Sequence, residues 1–414
     1  MSIANRKLRI LIVTPSLPYP PTWGFGIRVY QMVRYLAQHH RVSLVAYADP
    51  REGDKVAALE QTGASVHPVA RRNVSDFGKR RDQLESLISR QSFQRTALAS
   101  REMQLVIDDL FKREAFDVVQ VESSQLWGYR YPGSATVLLD EHNIEYELLY
   151  RTYKTERDPV RRLFSWVEYL KFRREEQHSW RHVDGCILTS GREESIVREH
   201  ASGTATTAVP NGVDIDYFQP DGATPDPENI VFVGVMHYRP NVDAAVYFIR
   251  EILPVIRRQH PNATFTIVGG GAPAELRRLA SPNVLLTGEV PDTRPYVSRA
   301  GVVVVPMRMG SGTRLKVLEG LAMRRPMVST ALGCEGITAR DGQHLLIADE
   351  PAEFARAVLR IMADQNRADD LARNGRLLVE AAFSWPYLLG QLEQFMFERR
   401  AETRPRELTD AVLI

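Results

Sequence analysis

The stretch VVVVPMRMGSGTRLKVLEGLAMRRPMV, Val302–Val328, leaves a chain few ways to fold. Val302–Pro306 is short and wholly apolar, as a central parallel strand covered on both faces must be. The turn Gly310-Ser311-Gly312-Thr313 follows, with Thr313 the expected N-cap of a helix starting at Arg314. Leu315, Leu318, Leu321 and Ala322 are that helix's expected buried stripe, and a second strand closes the unit. Such a turn aims backbone N–H groups and the positive end of a helix dipole at one point beyond the strand's carboxyl edge, which is the make-up of a phosphate site. Lys316 and Glu319 sit three apart on another face of the helix. One cation for a phosphate and one carboxylate for a hydroxyl pair would hold a nucleotide's diphosphate and ribose. A solvated i,i+3 ion pair is the plainer alternative.

The same alternation runs along the whole chain. Leu8–Thr14, Arg41–Tyr47, Ala64–Val69, Asp117–Glu122, Thr136–Asp140 and Gly185–Thr189 read as strands of one sheet. Ile230–Val233, Thr264–Val268, Val284–Thr287 and Val302–Pro306 read as strands of another. Helices are expected over Ile27–Gln38, Pro159–His182, from near Arg192, and over Asn241–Arg257, Phe354–Met362, Leu371–Phe383 and Tyr387–Arg399. The basic stretch 71–101 reads as one or two more, with Leu84, Leu87, Ile88 and Phe93 inward. At 414 residues two α/β domains are expected, 1–220 and 230–385, joined by the proline-, aspartate- and glycine-rich segment 221–229.

Bulk properties remove several function classes. Hydrophobic content of 44% and charged content of 25% are those of a globular domain, and a net charge of +2 gives no ground for a nucleic-acid partner. The two cysteines, Cys186 and Cys334, lie far apart in no metal-like spacing. Leu8–Val13 is too short for a signal-peptide core, and no run approaches the ~20 apolar residues of a membrane span. A cytoplasmic location is the expectation, and nothing in the sequence sets the oligomeric state. The helix 159–182 adds one qualification. Leu163, Phe164, Val167 and Leu170 are its expected core side, while Trp166, Tyr169 and Phe172 interleave with Arg161, Arg162, Lys171, Arg173 and Arg174. That composition fits a domain helix with snorkelling arginines. It also fits an interfacial helix making peripheral contact with anionic lipid or a lipid diphosphate through 160–182, at the inner face of a membrane.

Three further segments carry chemistry. The loop Pro18–Gly26 lies at a strand's carboxyl end, where open α/β sheets bind ligands; Gly24 and Gly26 permit close backbone approach and Arg28 adds charge. A simple turn is the alternative. His142, in DEHNIEYE, follows another strand end, where a lone histidine is commonly structural. Gly269-x-Gly271-x-x-Ala274, with Glu289 about twenty residues on, formally fits a dinucleotide fingerprint and makes an NAD-dependent oxidoreductase the rival reading. Pro273 at the helix start and the short helix beyond it weigh against that rival.

GSGTRLKVLEGLAMRRPMVSTALGCEGI, VPNGVDIDYFQP and DEHNIEYE together resemble the family 4 type of retaining glycosyltransferases, which have the GT-B fold. The resemblance implies two Rossmann-like, doubly wound parallel-sheet domains facing a cleft, with a C-terminal helix (386–403) crossing back to the first domain. It implies a nucleoside-diphosphate sugar donor held mainly by the second domain, a hydroxyl acceptor (glycan, lipid-linked glycan or small molecule), and no metal or cofactor. Glu319 would accept from the ribose hydroxyls. Arg314, Lys316 and the amides of Gly310, Ser311, Gly312 and Thr313 would hold the diphosphate. Gly234, His237, Arg239, Gly269, Gly271, Glu289 and Val290 would line the donor site, with Gly24 and Gly26 over its phosphates. His142, flanked by Glu141 and Asn143, would stand beside the reacting sugar. The chain departs from the pattern in two places: Val235 and Met236 stand where many members have an arginine and a lysine, and Ser311 replaces the first of two glutamates eight residues apart. Bacterial sugar transferases of exopolysaccharide clusters share such departures. A nucleotide-sugar epimerase or hydrolase on the same fold, or a silent sugar-nucleotide-binding partner, are the neighbouring alternatives.

Overall fold

A computed structural model describes residues 7–71, 83, 85–87, 89–156, 158–310 and 313–403. The chain divides into two compact units, one of residues up to Val209 with those from Leu389 on, the other Pro210–Leu388. Strand β8 (Asp226–Val233) takes in the last four residues, 226–229, of the segment expected to be a linker.

The first unit is built on seven strands: β1 (Arg9–Thr14), β2 (Arg41–Ala48), β3 (Ser65–Ala70), β4 (Val118–Glu122), β5 (Thr136–Glu141), β6 (Gly185–Leu188) and β7 (Thr206–Ala208). They pair in parallel in the order β3-β2-β1-β4-β5-β6-β7. The inner strands are buried at every position because helices cover both faces. Strand order reverses between β1 and β4, so the crevice of this sheet opens beyond the carboxyl ends of those two strands. The helix Gly24–His39 starts three residues before the expected Ile27, which places Gly24 and Gly26 in its first turn. Their N–H groups are among those a helix leaves without an internal partner.

The last helix, Trp385–Glu402, starts two residues earlier than expected and uses Pro386 in its first turn. From Leu389 on it belongs to the first unit. Phe395 packs so tightly on Gly185 that a Cβ there would lie 2.8 Å from the ring. A Glu393 carboxylate oxygen lies 2.9 Å from His40 Nε2, and the other accepts from the Tyr35 hydroxyl at 3.2 Å.

The helix Pro159–His182 departs from its expected faces. Leu163 (60% exposed) and Leu170 (44%), expected in the core, face outward beside Trp166 (42%), and Phe164 and Val167 are half-buried, whereas Phe172, Glu168 and Glu176 are buried. The cause is capping. Glu176 accepts from the Glu145 and Tyr146 N–H groups, the first turn of the helix Glu145–Thr155. Glu168 takes the Phe93 N–H, and Glu175 takes the Ser92 N–H and hydroxyl at the start of the helix Phe93–Leu98. Carboxylates that terminate neighbouring helices thus occupy the inward side. In the stretch before them, Leu87 is exposed and Phe93 half-buried, contrary to expectation, while Leu84 and Ile88 fall outside the described residues.

The second unit repeats the architecture with β8, β9 (Thr264–Val268), β10 (Val284–Leu286), β11 (Ala300–Val305), β12 (Met327–Ser329) and β13 (Leu346–Ile347). All pair in parallel, in the order β10-β9-β8-β11-β12-β13, and order reverses between β8 and β11. Two parallel sheets of this winding are the α/β fold expected from the sequence.

Candidate functional site

In the second unit, the loops leaving β8, β9 and β10 are stitched into one rim. Gly234 N–H donates to Val268 O (2.9 Å), Met236 N–H donates to Gly270 O (2.7 Å), and Gly269 bridges to Gly288. Gly269 has φ +143°, and a Cβ on it would lie 2.1 Å from Gly234 O, so no other residue fits. A Cβ on Gly271 would lie 3.0 Å from the His237 N. The rim therefore brings together Gly234, His237, Gly269, Gly271 and Glu289; His237, Arg239 and Glu289 are exposed, and Val290 packs on the core.

Lys316 reaches this rim from the helix Leu315–Ala322. Its ammonium donates to Asn241 Oδ1 (2.8 Å) and lies over the Phe232 ring, 4.4 Å from the centroid. Asn241 in turn donates from Nδ2 to Val235 O (2.9 Å). A Cβ on Gly234 would meet Lys316 Nζ at 2.8 Å and Asn241 Nδ2 at 2.7 Å, so glycine is what lets the lysine in. Burial pulls the lysine down to about 7 against the pull of Glu319, and burial pushes Glu319 up to about 7 against the pull of Lys316. Arg314 is buried beside Gly310, whose φ is +116°. The N-cap is Arg314 itself, with no side-chain cap bond, rather than Thr313, and Val317 joins Leu318 and Leu321 in the buried stripe while Leu315 is only partly buried. The arginine's backbone carbonyl begins the helical ladder, accepting from Val317. Ser311 and Gly312 lie outside the described residues.

The first unit carries a second polar cluster at its own switch point. Strand β4 ends in the buried Glu122 and β5 in the buried Asp140-Glu141, and His142 follows directly. His142 Nε2 lies 2.7 Å from Glu122 Oε2, and Gln120 Nε2 donates to Glu122 Oε1 (2.7 Å). Arg28, 1% exposed, donates from Nε to Asp140 Oδ2 and from Nη2 to Oδ1, both at 3.1 Å, and from Nη1 to Val209 O (2.7 Å). The charge that the sequence suggested for a ligand is thus spent inside the fold; breaking such a buried pair costs ~3–5 kcal/mol. The Phe25 ring, from the loop–helix junction after β1, stacks on His142 with centroids 4.5 Å apart. Burial pushes Glu122 up to about 7 and pulls His142 down to about 4.

Glu122, Asp140 and His142 have ligand atoms close enough together to hold a metal ion. Each is already engaged: Asp140 by a guanidinium, and Glu122 and His142 by one another. That donor set reads as a proton-sharing cluster. The dinucleotide reading fares worse, because the helix after Gly271 is the four-residue Ala274–Arg277 and Pro273 is its N-cap. No usable dipole stands behind that turn. Asn241, Phe232, Glu122 and Phe25 were not singled out from the sequence; a charged residue closing an apolar strand, as in DVVQVE, is the one signal that could have flagged Glu122.

Residues 227–364 match the family described as Glycosyl transferases group 1. Over 381 residues, 88% of this chain and 94% of the other, the protein is 20% identical to an uncharacterized 44.6 kDa protein in the cps region of Klebsiella pneumoniae. It is 29% identical over 214 residues, 45% of this chain, to a GDP-mannose-dependent alpha-(1-6)-phosphatidylinositol monomannoside mannosyltransferase of Mycobacterium tuberculosis, and the match spans about half (54%) of that protein. The crystal structure of Anabaena HepE in complex with UDP is similar with a TM-score of 0.65 at 13% identity, covering 94% of this chain and 100% of that one.

Proposed function

We propose that the protein, whose residues 227–364 match the Glycosyl transferases group 1 family and whose fold is GT-B, is a retaining, metal-independent glycosyltransferase. Its donor is a nucleoside-diphosphate sugar and its acceptor a hydroxyl on a glycan, a lipid-linked glycan or a small molecule. The observation that carries the reading is Lys316, seated under Gly234 on the strand-end rim and one helical turn from Glu319. The lysine, Arg314 and the amides of the turn before them hold the diphosphate and stabilise the charge it gains as it leaves. Glu319 accepts from the ribose hydroxyls. Two fixed cations serve the leaving group where other designs use a metal ion, and no cofactor is required. Retention at the anomeric carbon rests on the resemblance in sequence. In the first unit, His142 backed by Phe25 and Glu122 serves the sugar and acceptor oxygens.

The test is a panel of UDP, GDP, ADP, dTDP, CDP and NAD against the melting temperature, followed by transfer assays with sugar donors of the base that binds. A ligand at ~100 times its Kd stabilises by about 2.7 kcal/mol, a measurable shift. UDP is the first to try, since HepE binds it. A shift by NAD alone would sink the reading. Nucleotide released without acceptor would point to the hydrolase.

The exposed stripe of the helix Pro159–His182 supports a second feature, peripheral contact with an anionic membrane surface. Leu163, Trp166 and Leu170 face outward with Arg162, Arg173 and Arg174 exposed around them, the arrangement of an interfacial helix. Among the described residues no helix is long and apolar enough to cross a membrane. Co-sedimentation with vesicles of anionic, but not zwitterionic, phospholipid is expected, and Leu163→Glu should abolish it.

A further inference from the structure

A histidine serving a sugar oxygen can act through either ring nitrogen, and the two do different things. The nitrogen bearing hydrogen donates; the other accepts. In this protein one nitrogen is already committed. Nε2 lies 2.7 Å from Glu122 Oε2, and among the described residues no group takes Nδ1. The ring is held from two sides. Phe25 packs on one face and Glu122 holds the inner edge. What remains open, on a side chain only 11% exposed, is the Nδ1 edge.

We propose that Glu122 is a positioning residue that sets which tautomer His142 presents, so that Nδ1 is the working nitrogen and its donor or acceptor character is dictated by the proton on Glu122. The inference rests on the glycosyltransferase reading only for what Nδ1 is used on; the pairing is a property of the first unit alone.

The proton count follows from the pair. With Glu122 protonated, its hydroxyl donates to Nε2, so the neutral ring carries its hydrogen on Nδ1, a donor aimed outward. With Glu122 ionised, the carboxylate accepts from Nε2–H and Nδ1 becomes an acceptor. One proton leaves the pair, and the outward nitrogen reverses its role. The surroundings decide where this happens. Gln120 on β4 donates to Oε1; Arg28 on the first helix and Asp140 on β5 are the charged groups facing the pair, and they neutralise each other. Burial then dominates and holds the proton on Glu122 up to about 7, while keeping the ring neutral. Glu141 points away, its carboxylate taking Trp180 Nε1–H (2.8 Å) and Ser124 N–H (3.2 Å). The donor form is the productive one, because only Nδ1–H can donate to an oxygen of the bound sugar.

Glu122→Gln is the decisive variant. Its amide oxygen keeps the Gln120 bond and its NH2 donates to Nε2, imitating the protonated acid at every pH. Nitrogen-15 spectra of histidine-labelled protein, with His142→Gln to identify the signal, read the tautomer directly. Wild type should carry Nδ1–H at about pH 6 and Nε2–H at about pH 8.5, whereas the variant should carry Nδ1–H at both. In turnover, the fall in kcat across that range should be about tenfold or more greater in wild type than in the variant, which keeps only the change due to Lys316; at any one pH the donor KM of the two proteins should agree. Should Glu122→Gln fail to fold, Gln120→Leu removes the donor on Oε1 and should move the wild-type tautomer midpoint upward. A His142 tautomer that follows the same pH course in wild type and in the folded variant, or a midpoint indifferent to Gln120→Leu, overturns the proposal. If the tautomer switches as described but wild type transfers no sugar, the glycosyltransferase reading fails and the pairing stands.

Discussion

Asn241→Leu isolates what holds Lys316 in place at the proposed donor site. The substitution keeps the branched shape of the side chain at a buried position and removes two bonds, the one Oδ1 accepts from Lys316 Nζ (2.8 Å) and the one Nδ2 donates to Val235 O (2.9 Å). Val235 is exposed, so water replaces the second bond at little cost. The first is a hydrogen bond to a charged group, worth ~1.5–3 kcal/mol. Phe232 remains beneath the ammonium and retains part of its stabilisation, ~0.5–2 kcal/mol for such a contact. Losing Asn241 also penalises the charged lysine further, and its proton affinity, already lowered to about 7 by burial, falls again. The expected result is roughly a tenfold to hundredfold weaker Kd for the nucleoside diphosphate. The loss should be larger at pH 8 than at pH 6, where protonation of Lys316 is more complete. Calorimetric titration at the two pH values measures it, with thermal melting as the control for folding. Unchanged affinity in a folded Asn241→Leu protein would refute the idea that Asn241 seats the lysine. Unchanged affinity in Lys316→Met would refute the diphosphate site itself.

Other outcomes follow from the same geometry. Gly234→Ala should weaken the diphosphate at least as much as Asn241→Leu, because the new Cβ lies 2.8 Å from Lys316 Nζ and 2.7 Å from Asn241 Nδ2 and must displace both; titration of the purified variant checks this, with thermal melting as the control for folding. Stability of the first unit should fall as pH rises from about 6.5 to about 8, the end of a loss that for each carboxyl starts near its unfolded value of about 4.5 and stops a little above its folded one, with a slope of at most ~1.4 kcal/mol per pH unit for each carboxyl still protonated in the native state. The sign comes from Glu122, Glu141 and Glu145, held by burial at about 7, about 8 and about 7, so the native state binds protons that the unfolded state has released. His142, lowered to about 4, gives the opposite slope only below its ordinary pKa, outside that window. Urea midpoints followed by amide exchange in β4 and β5 would expose an error as a flat or rising profile. Ending the chain at Leu388 should leave the first unit unable to pack, seen as loss of exchange protection in β5 and β6, because Phe395, Leu392 and Met396 are part of its core.

The sheet strands and the donor helix could be read in the sequence because their signals are local. Val302–Pro306 is apolar without interruption, and Gly310, Gly269 and Gly271 mark backbone that other residues rarely adopt. The helix Pro159–His182 failed the same kind of reading because its inward glutamates answer to partners far off in sequence. Glu168 and Glu176 cap helices that start at Phe93 and Glu145, and no periodicity in their own helix records that. Asn241 and Glu122 are illegible for a related reason. Each is one polar residue whose meaning is a single contact, to Lys316 and to His142, made only after the sheet is assembled. Arg28 shows the converse: a charge beside a glycine loop suggested a ligand, yet Asp140, supplied by a strand more than a hundred residues on, claims it (|i−j| of 112).

The return of the last helix to the first unit sets an order of events during synthesis. A ribosome releases the seven strands of the first sheet long before Leu389 and the residues that cover β6 near Gly185 exist. The second sheet, complete by Ile347, together with its covering helices up to Leu388, can consolidate earlier than the unit that precedes it. The usual sequence, in which the leading domain finishes first, is reversed, and the nascent first half must wait, with part of its core uncovered, for the last few turns of the chain.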